Sequence, residues 1–309
     1  MDRRLSPFLW TALSGARRIA AGAPLALAAA LAACTPATDE IVSEPASPLL
    51  YEITNSQGEV EGWMLGTIHA LPDGVEWRSD SIQQIIEGAD YAYVEIAELN
   101  DRDKLAETFA RLATTPDLPP LSQRVAPSLR ATLNEIVERS DIPENSFLST
   151  ESWAAAVMLA QVDSGSDPAN GVDRAIIRDF ATREVRGFET AMSQLSIFDA
   201  LAPEDQTDLL EGVVREWRDG REDRGRLRRA WIDGDVTVLE EATNTGIMAD
   251  REVREALLTM RNKRWMTQML YALSHEARPL VAVGAAHLVG PDGLPRLLED
   301  QGYTVTRLD

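Results

Sequence analysis

The chain has 309 residues, 44% of them apolar, which is enough for one large core or for one domain carrying a helical insertion. Its formal charge of −20 repels polyanions, so nucleic acid is excluded as a partner and an anionic lipid surface offers no attraction of its own. The single cysteine, Cys34, excludes an internal disulfide framework.

In chain order, a basic N-region (Arg3, Arg4, Arg17, Arg18) leads into an Ala/Leu-rich run from Ile19 to Ala33. The run of about 15 residues is short of the ~20 that a spanning helix needs. It ends in Leu31-Ala32-Ala33-Cys34, which resembles a bacterial lipobox. The expectation is a lipoprotein signal peptide over 1–33, cleaved before Cys34, with lipid on the Cys34 thiol as the only membrane attachment. Thr35 in the next position favours the outer membrane, facing the periplasm. The removed segment carries four arginines against one aspartate, a net +3, so the mature chain would stand at −23 with no cysteine left for thiolate chemistry. Residues 34–48, rich in Pro, Ser, Thr and acids, read as a flexible linker.

A domain over 49–309 follows. Leu49 to Ile53 and Glu59 to Leu65 flank the turn-forming Asn55-Ser56-Gln57-Gly58 and predict a β-hairpin. A helix is expected from about Val75 to Gly88, then a strand over Tyr91-Ala92-Tyr93-Val94-Glu95-Ile96, where aromatic and β-branched residues concentrate. From about 100 to 246 the chain reads as a helical insertion, its amphipathic runs broken at Leu118-Pro119-Pro120, Ile142-Pro143 and Asp167-Pro168. One short strand, Val185 to Glu189, interrupts it. A helix over roughly Asp250 to His275 leads to Pro279-Leu280-Val281-Ala282-Val283, an apolar run suited to a strand buried on both faces. A short helix near Gly293 to Gln301 and a strand over Tyr303 to Leu308 close the chain. The fold class is therefore α/β (α+β): a central mixed β-sheet with a large helical insertion. Trp153, Trp217, Trp231 and Trp265 fall at helical spacing and are expected in the core.

There are three histidines, and two share a local pattern. Gly66-Thr67-Ile68-His69 and Gly284-Ala285-Ala286-His287 each follow an apolar strand, and each precedes a Pro-Asp-Gly and a helix, so the two units read as a pseudo-repeat. A glycine at a strand end permits a sharp turn or a close approach, and brings the following His to the carboxyl edge of the sheet, where ligands sit in α/β folds. Two such strands side by side would aim two imidazoles into one crevice, and neutral imidazole is a common ligand for divalent transition ions. His275, at the end of the long helix, is read as a cap that complements the helix dipole. There is no His-Glu-x-x-His helix, no Gly-x-Ser-x-Gly elbow and no phosphate loop.

The Gly-Thr-Ile-His and Gly-Ala-Ala-His-Leu pair, with Tyr93-Val94-Glu95-Ile96, Gly171-Val172-Asp173, Gly187-Phe188-Glu189-Thr190 and Arg261-Asn262-Lys263-Arg264-Trp265-Met266, resembles the TraB/PrgY/GumN family, which includes the Tiki proteases. The chain departs from many bacterial relatives at Ala286, where they have Gly. The resemblance implies a fold similar to erythromycin esterase and ChaN-like proteins. It also implies a metal-dependent hydrolase, a peptidase in the first instance, with Mn, Co or Zn held by His69 and His287. Glu95 is the first candidate for ligand or general base and Glu189 the second. Arg261 and Asn262 are candidates for holding a substrate carbonyl or an oxyanion, against the plainer reading of a solvated cationic face. The partner is then a peptide or small-molecule substrate, and the membrane is touched through lipid alone. A metal-free esterase-like site with one His as base, or a lipoprotein that binds a peptide or signal without turnover, are the alternatives.

Overall fold

The computed structural model describes residues 46–219, 225–275 and 277–308, the side chain of His275 excepted. The expected signal peptide, Cys34 and most of the expected linker fall outside the described residues, as does that side chain. The first strands are β1 (Leu50–Thr54) and β2 (Val60–Thr67), an antiparallel hairpin. Its turn is closed by Asn55, whose Oδ1 accepts from the backbone N–H groups of Gln57 and Glu59. Helix α1 (Asp80–Gly88) comes next and buries Ile82, Ile85 and Ile86. It starts five residues later than the apolar pattern predicts, because the Ser79 hydroxyl caps it by accepting from Ile82 N–H.

Strand β3 (Tyr91–Ile96) is buried along its whole length. The helices of the middle region are α2 (Arg102–Leu112), α3 (Arg130–Arg139), α4 (Ser152–Leu159), α5 (Val172–Asp179), α6 (Ala191–Asp199), α7 (Pro203–Asp219), α8 (Arg226–Ile232) and α9 (Val236–Ala242). Strand β4 (Val185–Glu189) lies between α5 and α6. Next comes α10 (Arg251–Arg254), followed by a π turn over Glu255–Thr259 and then α11 (Met260–His275). The expected single helix over this stretch is therefore interrupted. Strand β5 (Pro279–Gly284), a 3-10 turn (Ala285–Leu288), α12 (Leu294–Glu299) and β6 (Thr304–Leu308) complete the chain.

The six strands form one mixed sheet in the order β4-β3-β5-β2-β1-β6. β4, β3, β5 and β2 are parallel, whereas β1 runs antiparallel to both β2 and β6. The apolar run in β5 is buried from Pro279 to Val283, as its composition requires of a central strand with helices on both faces. Two apolar clusters hold the described residues together. The larger surrounds the sheet and includes Trp231 and Trp265. The second lies within the helical region, around Trp153, Phe147, Leu133 and Leu210, and includes Trp217. Among the described residues, no helix is long and apolar enough to cross a membrane.

Candidate functional site

Because four neighbouring strands run parallel, their carboxyl ends line up along one edge of the sheet. His69 stands two residues beyond β2, His287 lies in the 3-10 turn after β5, Glu95 is the penultimate residue of β3, and Glu189 ends β4. The paired glycines of the two motifs are not opposite each other: Gly66 pairs with Val283, and Thr67 with Gly284. That one-residue offset breaks the symmetry that the repeat in sequence suggests. After Gly66 the chain continues extended and carries His69 outward, whereas after Gly284 it coils and folds His287 inward. His69 keeps 69% of its side-chain surface exposed and His287 only 4%.

On the β2 side, alternate residues share a face, so Thr67 and His69 meet the same partner. That partner is Asp173, in the first turn of α5. Thr67 Oγ1 donates to Asp173 Oδ1 at 2.5 Å, and His69 Nδ1 donates to Asp173 Oδ2 at 2.9 Å. The start of α5 is fixed to the end of β2 by a hydrogen bond from Val172 N–H to the Ile68 carbonyl. Gly171 makes the approach possible: a Cβ there would stand 2.4 Å from the His69 carbonyl oxygen. Asp173 raises the pKa of His69 to about 9, against the opposing effect of burial, with solvent at the exposed ring screening part of the attraction. With Nδ1 committed, Nε2 is left without a partner among the described residues.

On the β5 side, His287 is fixed by Asn262. The Asn262 amide donates to the carbonyls of Asp292 (2.8 Å) and His287 (3.4 Å), so its Oδ1 faces His287 Nδ1 at 2.6 Å as an acceptor. Nδ1 therefore carries the proton and Nε2 the lone pair, which accepts from Arg261 Nη1 at 3.2 Å. Burial lowers the His287 pKa to about 3, so the ring is neutral at physiological pH. Trp265 lies across it at 4.4 Å between ring centroids, backed by Phe188 and then Tyr93 in a stacked column. Ala286 has no positive φ, and the turn forms with the methyl group in place.

Arg261 is the hub of this half of the site. Its Nε donates to Glu189 Oε2 at 3.0 Å, Nη1 to the Leu257 carbonyl at 2.9 Å as well as to His287, and Nη2 to Glu95 Oε2 at 2.6 Å. Four of its five N–H groups are thus used. Leu257 belongs to the π turn that precedes α11, a local irregularity common at functional sites. Arg261 and Asn262 are both buried, which removes the solvated-face reading for them; Arg264, which also donates to Glu189, stays at the surface. Glu95 Oε1 accepts from Gly284 N–H at 2.8 Å, and a side chain at that glycine would crowd the carboxylate. Burial alone would raise the Glu95 pKa; His287, Arg261, His69 and the Gly284 N–H outweigh it and bring the value down to about 2. A carboxylate held so low, with both oxygens engaged, has little capacity to accept a proton near neutrality.

His69, His287, Glu95 and Glu189 are therefore gathered along one edge, and Arg261 and Asn262 pack behind it. The charge of Glu95 is felt at His69, and that of His69 at His287. A divalent ion held jointly by His69 and His287 does not fit this arrangement. The lone pair His287 would offer is already engaged by Arg261, and the guanidinium brings a full positive charge to the same place. Asp173 and Thr67 were not singled out as site residues from the sequence. The available signals were Thr67 inside the first Gly-x-x-His and Asp173 inside the Gly171-Val172-Asp173 segment of the family resemblance.

The match to the family model described as TraB/PrgY/gumN covers residues 49–307. No curated protein and no solved structure matches the chain. The motif pair and the other segments of resemblance all fall within that matched span, and the chain belongs to the TraB/PrgY/gumN family.

Proposed function

We propose that the chain is a cell-envelope hydrolase in which His69, oriented by Asp173, activates water for attack on the carbonyl of a peptide or small-molecule substrate. The observation that carries this reading is the buried Asp173 carboxylate donating its orientation to an exposed imidazole through a 2.9 Å bond. The pairing fixes Nδ1–H and, in the neutral ring that becomes populated as pH rises toward about 9, leaves Nε2 to take the proton, the logic by which a carboxylate prepares a histidine base. Water gives its proton to Nε2 and its oxygen to the carbonyl carbon; the same proton then passes to the leaving group as the acyl bond breaks. Arg261 pins the Glu95 and Glu189 carboxylates behind the site, while neutral His287 and Asn262 hold it in place. The base is thus assigned to His69 and not to Glu95.

The metal-dependent form implied by the family resemblance, with Mn, Co or Zn, is the rival reading. The gathering of His69, Glu95 and His287 at one edge favours it; the position of Arg261 opposes it. Attachment through lipid on Cys34, at the outer membrane and facing the periplasm, is part of the same proposal. The test is turnover of peptide and ester libraries by the chelator-treated protein, its His69→Ala variant and its Asp173→Asn variant. Cleavage that survives chelation and is lost in both variants supports the proposal. Activity abolished by chelation and restored by Mn²⁺, Co²⁺ or Zn²⁺ would transfer it to the metal-dependent form. An intact peptide recovered from a stable complex would replace hydrolysis with binding.

A further inference from the structure

We infer that Arg261 is the resident cation of this site, occupying the position that a divalent ion would otherwise take, and that His287 is a positioning residue for Arg261 instead of a metal ligand. Two carboxylates and one imidazole nitrogen, all of ligand type, surround the Arg261 guanidinium, each on a different nitrogen. Among the described residues no group of His, Cys, Asp and Glu side chains is arranged to hold a metal ion. Glu189 engages Nε, Glu95 engages Nη2, His287 engages Nη1, and the Leu257 carbonyl of the π turn also accepts from Nη1. His287 Nε2 therefore spends on Arg261 the one lone pair that a metal would need, and Glu95 and Glu189 each commit one carboxylate oxygen to the same guanidinium.

The charge balance leads to the same assignment. Glu95 and Glu189 face the single positive charge of Arg261 from inside, and Arg264 compensates Glu189 from the surface. A neutral His287 adds no charge but can add direction. Asn262 forces the Nδ1–H tautomer, which turns the Nε2 lone pair onto Arg261. Trp265 covers the guanidinium face at 4.7 Å, and 5% of the Arg261 side chain reaches solvent. An entering ion would have to expel a permanently charged group from a cage of four acceptors. A guanidinium needs no supply from solution and is not removed by chelation.

The inference does not depend on hydrolysis: a protein without turnover would defeat the preceding proposal and leave this one standing. It is tested on the full chain by metal analysis after purification without chelator, by Co²⁺ titration read in visible absorption, and by ¹⁵N NMR of the imidazole rings with and without Zn²⁺. In wild type, any Co²⁺ taken up is expected to be unchanged by His287→Ala, and the His287 Nε2 resonance should stay that of an unprotonated, uncoordinated nitrogen when Zn²⁺ is added. Arg261→Met should open the cage and tighten Co²⁺ binding by about tenfold or more. Stoichiometric metal in wild type that disappears in His287→Ala would overturn the inference. So would a folded Arg261→Met protein that gains no affinity. Should that variant fail to fold, the wild-type Nε2 resonance decides alone, and a Zn²⁺-induced shift there refutes the assignment.

Discussion

Replacing Arg261 by methionine keeps a long side chain over Trp265 while removing the cation between two buried carboxylates. Glu95 and Glu189 have side chains only 7% exposed, and they pair with Arg261 at 2.6 and 3.0 Å. Glu189 retains Arg264 at 3.3 Å, whereas Glu95 retains the Gly284 N–H and His287 Nε2 at 3.8 Å but no full-time cation in contact. Breaking one partner out of a buried ion pair costs about 3–5 kcal/mol, which for a domain of this size lowers Tm by roughly 10 °C. The loss should depend on pH in a defined direction. In the wild type, the Glu95 pKa is depressed from 4.5 to about 2, so its contribution is present above pH 4.5 and fades as pH falls toward 2. In the variant, the influence of Arg261 is lost while those of His287, His69 and the Gly284 N–H remain, so the folded pKa lies higher than in the wild type, and the penalty is full at high pH and relieved as the carboxyl gains a proton. The difference between the two proteins in urea unfolding, followed by tryptophan fluorescence, should therefore be several kcal/mol at pH 7.5 and should shrink as the pH is lowered toward 3. A difference below about 1 kcal/mol at pH 7.5, or one that grows on acidification, would refute the reasoning.

Three further outcomes follow from the same geometry. If His69 is the base, activity should rise with pH through an apparent pKa above 6.5 and toward about 9, and Asp173→Asn should lower both that pKa and kcat, as a pH–rate profile would show; an unmoved profile would remove Asp173 from its role. Gly171→Ala places a methyl group 2.4 Å from the His69 carbonyl oxygen, and should cost about 1–3 kcal/mol in denaturant unfolding as the 68–71 loop is pushed off α5; a neutral result would show that the loop gives way easily. Cys34→Ala should move the protein from the membrane fraction to the soluble fraction on cell fractionation, and retention at the membrane would argue against the lipid anchor.

Much of the framework could be read directly from local pattern. The hairpin around Asn55–Gly58, the apolar β5 run and the buried tryptophans follow from alternation, turn chemistry and helical spacing, which short segments express on their own. The prediction that two Gly-x-x-His strands lie side by side also agrees with the parallel pairing of β2 and β5. Helix boundaries were less legible. Ser79 delays α1 through a single side-chain hydrogen bond, and the π turn at Glu255–Thr259 has no counterpart in the periodicity of the surrounding residues.

Local pattern dictates which side chains reach the sheet edge: a histidine three residues after a strand glycine, and an acid at or near the end of each of two strands. Their chemical condition was decided only by the tertiary structure. The one-residue offset between β2 and β5 leaves one imidazole in water and buries the other. Asp173 lies 104 residues from His69, and Glu95 166 residues from Arg261, so no local pattern could announce that the first acid orients a histidine or that the second is neutralised by a guanidinium. Protonation depends on burial and on the nearest charge, and both belong to the packed molecule, not to any segment of it.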